Sequence, residues 1–232
     1  AENVAVDYKI EREAQDQMAL RSQRNALAAI QAGHFAREIC AVTIPQKKGD
    51  ALVVSQDEHP RDTSLESLAK LKGVVRPEGS VTAGNASGVN DGACALLLAN
   101  EASVKHYGLT PKARVVGMAT AGVAPRVMGV GPAPATEKVL AQTGLTLDQI
   151  DVIELNEAFA SQSLAVIRAL ELDTNKVNIN GGAIALGHPL GCTGAKLTVQ
   201  ILNDMERLQK KNGIVTACVG GGQGIAGIIE RL

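Results

Sequence analysis

Asn156, His188 and Cys218 are polar or proton-transferring side chains spaced 32 and 30 residues apart in the second half of the sequence. His188 lies between glycines in GGAIALGHPLGCTGA, ahead of Pro189 and shortly before a helical stretch. Imidazole titrates near pH 7, which suits it to acid–base work, although a lone loop histidine is more often a plain surface residue. Asn156 closes an apolar run and precedes a helical one, so it is either a polar group delivered to a strand's carboxyl end or the N-cap of the next helix. Cys218 stands one residue from the end of another apolar run, before Gly220–Gly222, where a small buried hydrophobe is its default meaning. All three fall at strand-to-loop junctions, the places where open α/β sheets put their chemistry.

Two nucleotide motifs are superficially present and fail on context. GQGIAG at Gly222–Gly227 matches a dinucleotide fingerprint and follows a strand. Only five residues follow it, so the helix that would hold a pyrophosphate and the acidic residue about 20 positions on are not expected. GHPLGCTGAK lacks the spacing of a phosphate-binding loop.

The elements that must position these residues are legible from pattern. Glu13 to Ala32 reads as a half-buried surface helix, with Leu20, Leu27 and Ile30 in helical register and Gly33 as its stop. From Glu38 to Arg76 the chain turns polar and is expected to cross a surface, with a brief helix around Ser64–Leu71. A glycine-rich loop around Gly84, Gly88 and Gly92 then precedes a predicted buried strand, Ala93–Leu98, and a helix ending near Gly108. A glycine loop beside a buried strand suggests a ligand edge. After Pro111 strands and helices alternate: strand Ala113–Ala119, a helix from Ala135, strand Ile150–Leu155, helix Glu157–Leu170, helix Gly194–Leu208, and strands Ile214–Val219 and Ile225–Ile229. This predicts an α/β layered fold with a mainly parallel sheet closed by an antiparallel hairpin, and a boundary near 110.

Composition bounds the rest. The 232 residues are 45% hydrophobic, with 23 Lys and Arg against 24 Asp and Glu, so a buried core is expected and a general attraction to nucleic acid or anionic membrane is not. No apolar run approaches the ~18–20 residues that would span a bilayer. The four cysteines are far apart with no CxxC pair, which favours reduced thiols in the cytoplasm and disfavours a metal site. The 24 glycines exceed the usual ~7% and mark many positions where a Cβ is not wanted.

Taken in order, TAGNASGVNDGACALLLA, GVAPRVMGVGP, NEAFA, NGGAIALGHPLGCTGA and CVGGGQG resemble the thiolases, and the resemblance runs from AENVA to IIERL. Within that family QKKG, DEHPR and GVAPRVMGVGP are most similar to the group acting on 3-oxoadipyl-CoA. The resemblance implies a thiolase-like layered fold: a loop domain over residues 1–80 that binds CoA, a remaining strand and helix of an N-terminal domain over 81–109, and a C-terminal mixed-sheet domain over 110–232. It implies reversible acyl transfer in fatty acid or aromatic degradation, with coenzyme A as substrate and no covalently bound cofactor, in a homodimer or homotetramer.

By the same resemblance, His188 would activate a nucleophilic thiol and, with a water held by Asn156, form an oxyanion hole. Cys218 would act as acid and base on the acetyl α-carbon, a task for a thiol of depressed pKa. The Gly220 N–H would help hold a second oxyanion. Ser87 would meet the pantetheine arm, Phe159 and Met128 would line the passage, and Lys72 would face the nucleotide end; without the family, Ser87 is as readily a turn-stabilising hydroxyl. His59 in DEHPR could lie near substrate. Thiolases carry the acyl-accepting cysteine in a Cys-Ser-Ser-Gly or Cys-Gly-Ser-Gly stretch, and none of the four cysteines has that context. The chain is therefore expected to lack the first part of a thiolase and to be inactive alone. The alternatives are a non-catalytic fragment that binds CoA or oligomerises, an acetoacetyl-CoA-specific thiolase, and, less favoured, a ketoacyl synthase, where a second histidine commonly replaces the role of Cys218.

Overall fold

The computed structural model describes residues 1–232. The first long element, α2 (Arg12–Gln31), follows a short helix α1 (Glu2–Asp7) that the sequence pattern did not announce. α2 buries Met18, Ala19, Leu20, Ala26 and Ala29 over a broad face and stops at Gly33, whose φ of +72° suits glycine. The polar excursion contains an exposed hairpin, β1 (Val42–Ile44) with β2 (Leu52–Val54), and the expected short helix α3 (Leu65–Ala69).

After α4 (Glu101–Tyr107) the chain builds a four-stranded sheet from β3 (Ala113–Gly122), β4 (Val152–Leu155), β5 (Asn212–Val219) and β6 (Gln223–Arg231) in the order β3-β6-β5-β4. The expectation of a mainly parallel sheet is corrected: only β4 and β5 run parallel, while β6 is antiparallel to both β5 and β3. The reason is the glycine turn after Val219. It sends the chain straight back along β5, so β6 separates β5 from β3 and reverses the direction. The dinucleotide-like GQGIAG is part of β6, a strand with no helix to present to a phosphate.

Both faces of the sheet are covered. Ile153, Leu155, Ile214 and Ile228 point to α2, α5 (Pro132–Thr143) and α6 (Ala160–Ala169), and all four are buried. The alternate residues Val152 and Ile229 pack with Ile201 and Met205 of α8 (Thr193–Arg207). Each such side chain contributes about 1.5–3 kcal/mol by leaving water. α2 lies in the same core as the sheet although the sheet's first strand begins 82 residues after the helix ends. A one-turn helix, α7 (Ala183–Leu186), docks against α2 and leads into the His188 loop.

The predicted strand Ala93–Leu98 is not formed. Residues 91–100 carry no strand pairing, and Leu97 and Leu98 are 81% and 79% exposed. The apolar run has the composition of a central strand, yet no neighbouring strand offers a hydrogen-bond ladder, and without one β propensity cannot make a sheet. The helix after it forms as expected, capped by Asn100 and ended by Gly108.

Two outcomes follow from the packing. Leu97 and Leu98 make the chain self-associate in dilute solution, and replacing both with Lys shifts the sedimentation distribution toward monomer; unchanged association would clear this stretch. Gly224 of β6 lies so close to Gly131 that a Cβ would come within 2.0 Å of its carbonyl. Gly224→Ala therefore costs about 3 kcal/mol or more in urea unfolding, and a loss below about 1 kcal/mol would show that the two segments part easily.

Candidate active site

The parallel register sets Leu155 opposite Thr216, and the Asn156 N–H continues the ladder to the Thr216 carbonyl at 2.9 Å. Asn156 and Cys218 thus leave adjacent strands on the same carboxyl edge, one residue apart in register. Asn156 is not the N-cap of α6, which begins only at Ala160. It is buried, and its carboxamide turns to the His188 loop: Nδ2 lies 3.4 Å from His188 Nε2. Asn156 Oδ1 is buried with no protein partner.

The tautomer of His188 follows from its other side. The Thr193 hydroxyl donates its only proton to the Pro189 carbonyl at 3.0 Å, so its oxygen receives the His188 Nδ1–H at 2.7 Å. Nε2 then carries the lone pair and faces Asn156. Burial, and after it the charge of Lys196, pulls the His188 pKa below 6.5, so the neutral base prevails at pH 7. The main chain is fixed as well: the His188 N–H donates to Asn90 Oδ1 at 3.1 Å and to the Gly88 carbonyl at 3.3 Å.

Cys218 departs from the sequence-based expectation. Its thiol is not depressed but pushed up to about 11, because burial disfavours the thiolate. At neutral pH it is a proton donor rather than a ready base. Gly220 lies just beyond, exposed, with open space where a Cβ would stand.

The glycine loop does reach this edge. Ala86 bridges Phe159 and Val89 bridges His188, so residues 86–90 run between them. The Ser87 hydroxyl donates to the Ala158 carbonyl at 3.0 Å, tying the glycine loop to the segment before α6. His59 approaches from the excursion; a Cβ on Gly88 would come within 2.5 Å of its Nε2, while its Nδ1 lies 2.9 Å from the Ala185 carbonyl. Phe159 and Met128 are half-buried on either side of Gln162, which receives the Phe159 N–H and leaves room only for glycine at position 129. Lys72 is exposed beside the Gly73–Thr82 bridge and makes no hydrogen bond or ion pair; no contact joins it to the others.

Sequence reasoning missed the residues that hold the site. Glu157 is fully buried and accepts from Ser22 Oγ at 2.6 Å, Asn178 Nδ2 at 2.8 Å and the Ile184 N–H at 3.2 Å. Asn178, at φ +48°, also brackets the backbone of Leu155 with its carboxamide. Thr193, five residues after His188 and at the start of α8, could have been found from that spacing; Ser22 and Asn178 carry no local signal.

Comparison with known proteins gives a consistent result. The family description "Thiolase, C-terminal domain" matches residues 109–231, and "Thiolase, N-terminal domain" matches residues 1–102. The chain is 57% identical, over its full length, to a beta-ketoadipyl-CoA thiolase of Acinetobacter baylyi, of which it covers 59%. Among solved structures, the acetyl-CoA acetyltransferase of Bacillus anthracis superposes with a TM-score of 0.97 at 50% identity, with all of this chain and 59% of that one covered. A human mitochondrial 3-ketoacyl-CoA thiolase in complex with CoA gives 0.91 at 44% identity, with 57% of that chain covered. The chain thus spans somewhat under two thirds of the length of these relatives.

Behind the site, Glu154 of β4 is fully buried; burial first, then the negative charges of Asp204 and Glu157, hold its carboxyl well above the usual 4.5. The folded chain keeps this proton where the unfolded chain releases it, so the stabilisation is full below about pH 4.5 and is lost as pH rises toward the folded pKa. Unfolding free energy accordingly falls as pH rises above about 4.5, and Glu154→Gln flattens that slope; parallel slopes in the two proteins would refute the assignment.

Proposed function

The chain belongs to the thiolase family, and from that membership we propose that it carries the acid–base and oxyanion groups of a CoA-dependent acyltransferase that cleaves 3-oxoacyl-CoA, with 3-oxoadipyl-CoA as the substrate. The observation that carries the reading is the His188 constellation, in which the Thr193 hydrogen bond leaves Nε2 as an acceptor facing Asn156 on the edge shared with Cys218. The choice of 3-oxoadipyl-CoA is supported by the identity to a beta-ketoadipyl-CoA thiolase.

In the degradative direction, His188 Nε2 takes the proton of a nucleophilic cysteine thiol, and the thiolate adds to the 3-oxo carbon. The Nε2–H so formed, beside the Asn156 carboxamide, becomes a donor to an oxyanion. The bond between carbons 2 and 3 breaks, leaving the acyl group on the cysteine and a carbanion on acetyl-CoA. Cys218 gives its proton to that carbanion, and its raised pKa keeps it in the form this step needs. The Cys218 thiolate left behind takes the proton of the CoA thiol, the CoA thiolate takes the acyl group, and the released cysteine thiolate recovers its proton from His188. The Gly220 N–H serves the second oxyanion, in a space without a side chain. The acyl-accepting cysteine is not among the four present, since none stands in a Cys-Ser-Ser-Gly or Cys-Gly-Ser-Gly context.

CoA binds, in this reading, along Ser87, Phe159 and Met128, with Lys72 toward the nucleotide; the adjacency of the 86–90 segment to Phe159 and His188 supports the first two. We also propose a loop domain over 1–80, an N-terminal-domain remnant over 81–109 and a C-terminal domain over 110–232; the two family matches support the boundary near 110. A homodimer or homotetramer is supported by exposed Val115 and Met118 on the edge strand β3, and action in the reducing cytoplasm by four free cysteines.

The test is thiolysis of 3-oxoadipyl-CoA and acetoacetyl-CoA by the product of the complete gene, followed by loss of enolate absorbance. Cleavage is expected, with His188→Ala and Cys218→Ser each lowering kcat by a factor on the order of 10²–10⁴, while residues 1–232 alone are inactive. No cleavage by the complete product would overturn the proposal in favour of CoA binding without turnover, and turnover by residues 1–232 would show that one of the four cysteines is the acyl acceptor.

A further inference from the structure

α8 begins one short turn after His188, and its fourth residue reaches back across the loop: Lys196 Nζ donates to the Gly187 carbonyl at 3.0 Å. Gly187 stands at φ +85°, a backbone conformation that L side chains rarely adopt, and a Cβ there would come within 2.5 Å of Asn90 Oδ1. The peptide leading into His188 is therefore clamped from two sides, by Asn90 on the glycine loop and by Lys196 on α8. Nothing in the proposed chemistry uses Lys196, and a lysine this enclosed is costly unless it answers to something.

The charges around it come from several elements, Glu38 beyond the end of α2 among them. Asp57 faces it from the excursion, Glu154 from β4, Glu157 from the strand end and Cys192 from the α8 N-cap, and these favour its protonated form against the burial that opposes it. Its charge opposes protonation of His188.

We propose that Lys196 is a positioning residue for His188, fixing the Gly187 peptide that presents the imidazole and setting a positive charge beside the ring. This deepens, and rests on, the reading of His188 as the proton acceptor. Lys196 acts through the loop and through space, touching no substrate, and it does two separable things. The hydrogen bond holds the direction of the ring toward Asn156, and the charge keeps the ring neutral until it receives a proton from a thiol.

The experiment is an imidazole proton–nitrogen NMR titration of the full chain from about pH 5 to about pH 9, with His188 assigned by its loss in His188→Gln. Lys196→Met removes both functions, Lys196→Gln keeps a donor without the charge, and Lys196→Arg keeps both. His188 in the Met and Gln variants is expected to bind its proton at least about threefold more tightly than in the parent, and in the Arg variant equally to the parent. In Lys196→Met the nitrogen shifts also move toward a mixture of tautomers, while Lys196→Gln keeps the Nδ1–H form. Titration of the Met and Gln variants indistinguishable from the parent would overturn the inference; should Lys196→Met fail to fold, the Gln and Arg titrations decide it in the same way. The titration is read whether or not thiolysis is seen, so a failure of the proposed chemistry and a failure of this inference appear in different signals.

Discussion

The carboxylate of Glu157 is the interaction on which the arrangement of the site depends. A buried charge is tolerated only when donors surround it, and three do so from three parts of the chain: Ser22 on α2, Asn178 before α7 and the Ile184 N–H within α7. Burial raises its pKa while those hydrogen bonds pull it back down. Gly182 must be glycine because a Cβ would lie 2.2 Å from the carboxyl carbon. Asn156 is the residue before this knot and His188 follows the helix it holds. Their 3.4 Å approach is thus a by-product of satisfying one buried anion.

A second layer of order is added from the other side of His188. The clamp made by Asn90, Gly88 and Thr193 sets both the main chain and the ring proton, so the imidazole has little rotational freedom left to lose on binding. Asn90 is also the last anchored residue before the unpaired stretch 91–100. A base held this firmly on one flank therefore borders a segment with no strand pairing.

What could be read from sequence divides along physical lines. α2, α8, β4 and β5 were legible because amphipathic periodicity and glycine stops are local properties, and their ends differ from expectation by a residue or two. Asn156, His188 and Cys218 were legible as junction residues. The placement of Asn156 as a site group instead of a helix cap was decided by α6 starting at Ala160, where Gln162 receives the Phe159 N–H. The Ala93–Leu98 strand was misread because its hydrophobicity is local whereas its pairing is not. Cys218 was expected to carry a lowered pKa, yet the strand edge that presents it also desolvates it. Lys196 and Glu157 gave no sequence signal, since a charged side chain normally faces water and only the packed structure turns these inward.

The knot at Glu157 also imposes an order of events on the growing chain. Ser22 meets Glu157 across 135 residues and Gly182 across 160. As the protein is made from its N-terminus, α2 leaves the ribosome long before either partner exists. Its apolar residues Met18, Ala19 and Leu20 must wait in the open for the residues that will cover them. Closing such wide loops is entropically slow, so this helix belongs to a late step of folding, and the interval before it closes is when chaperones would engage the nascent chain.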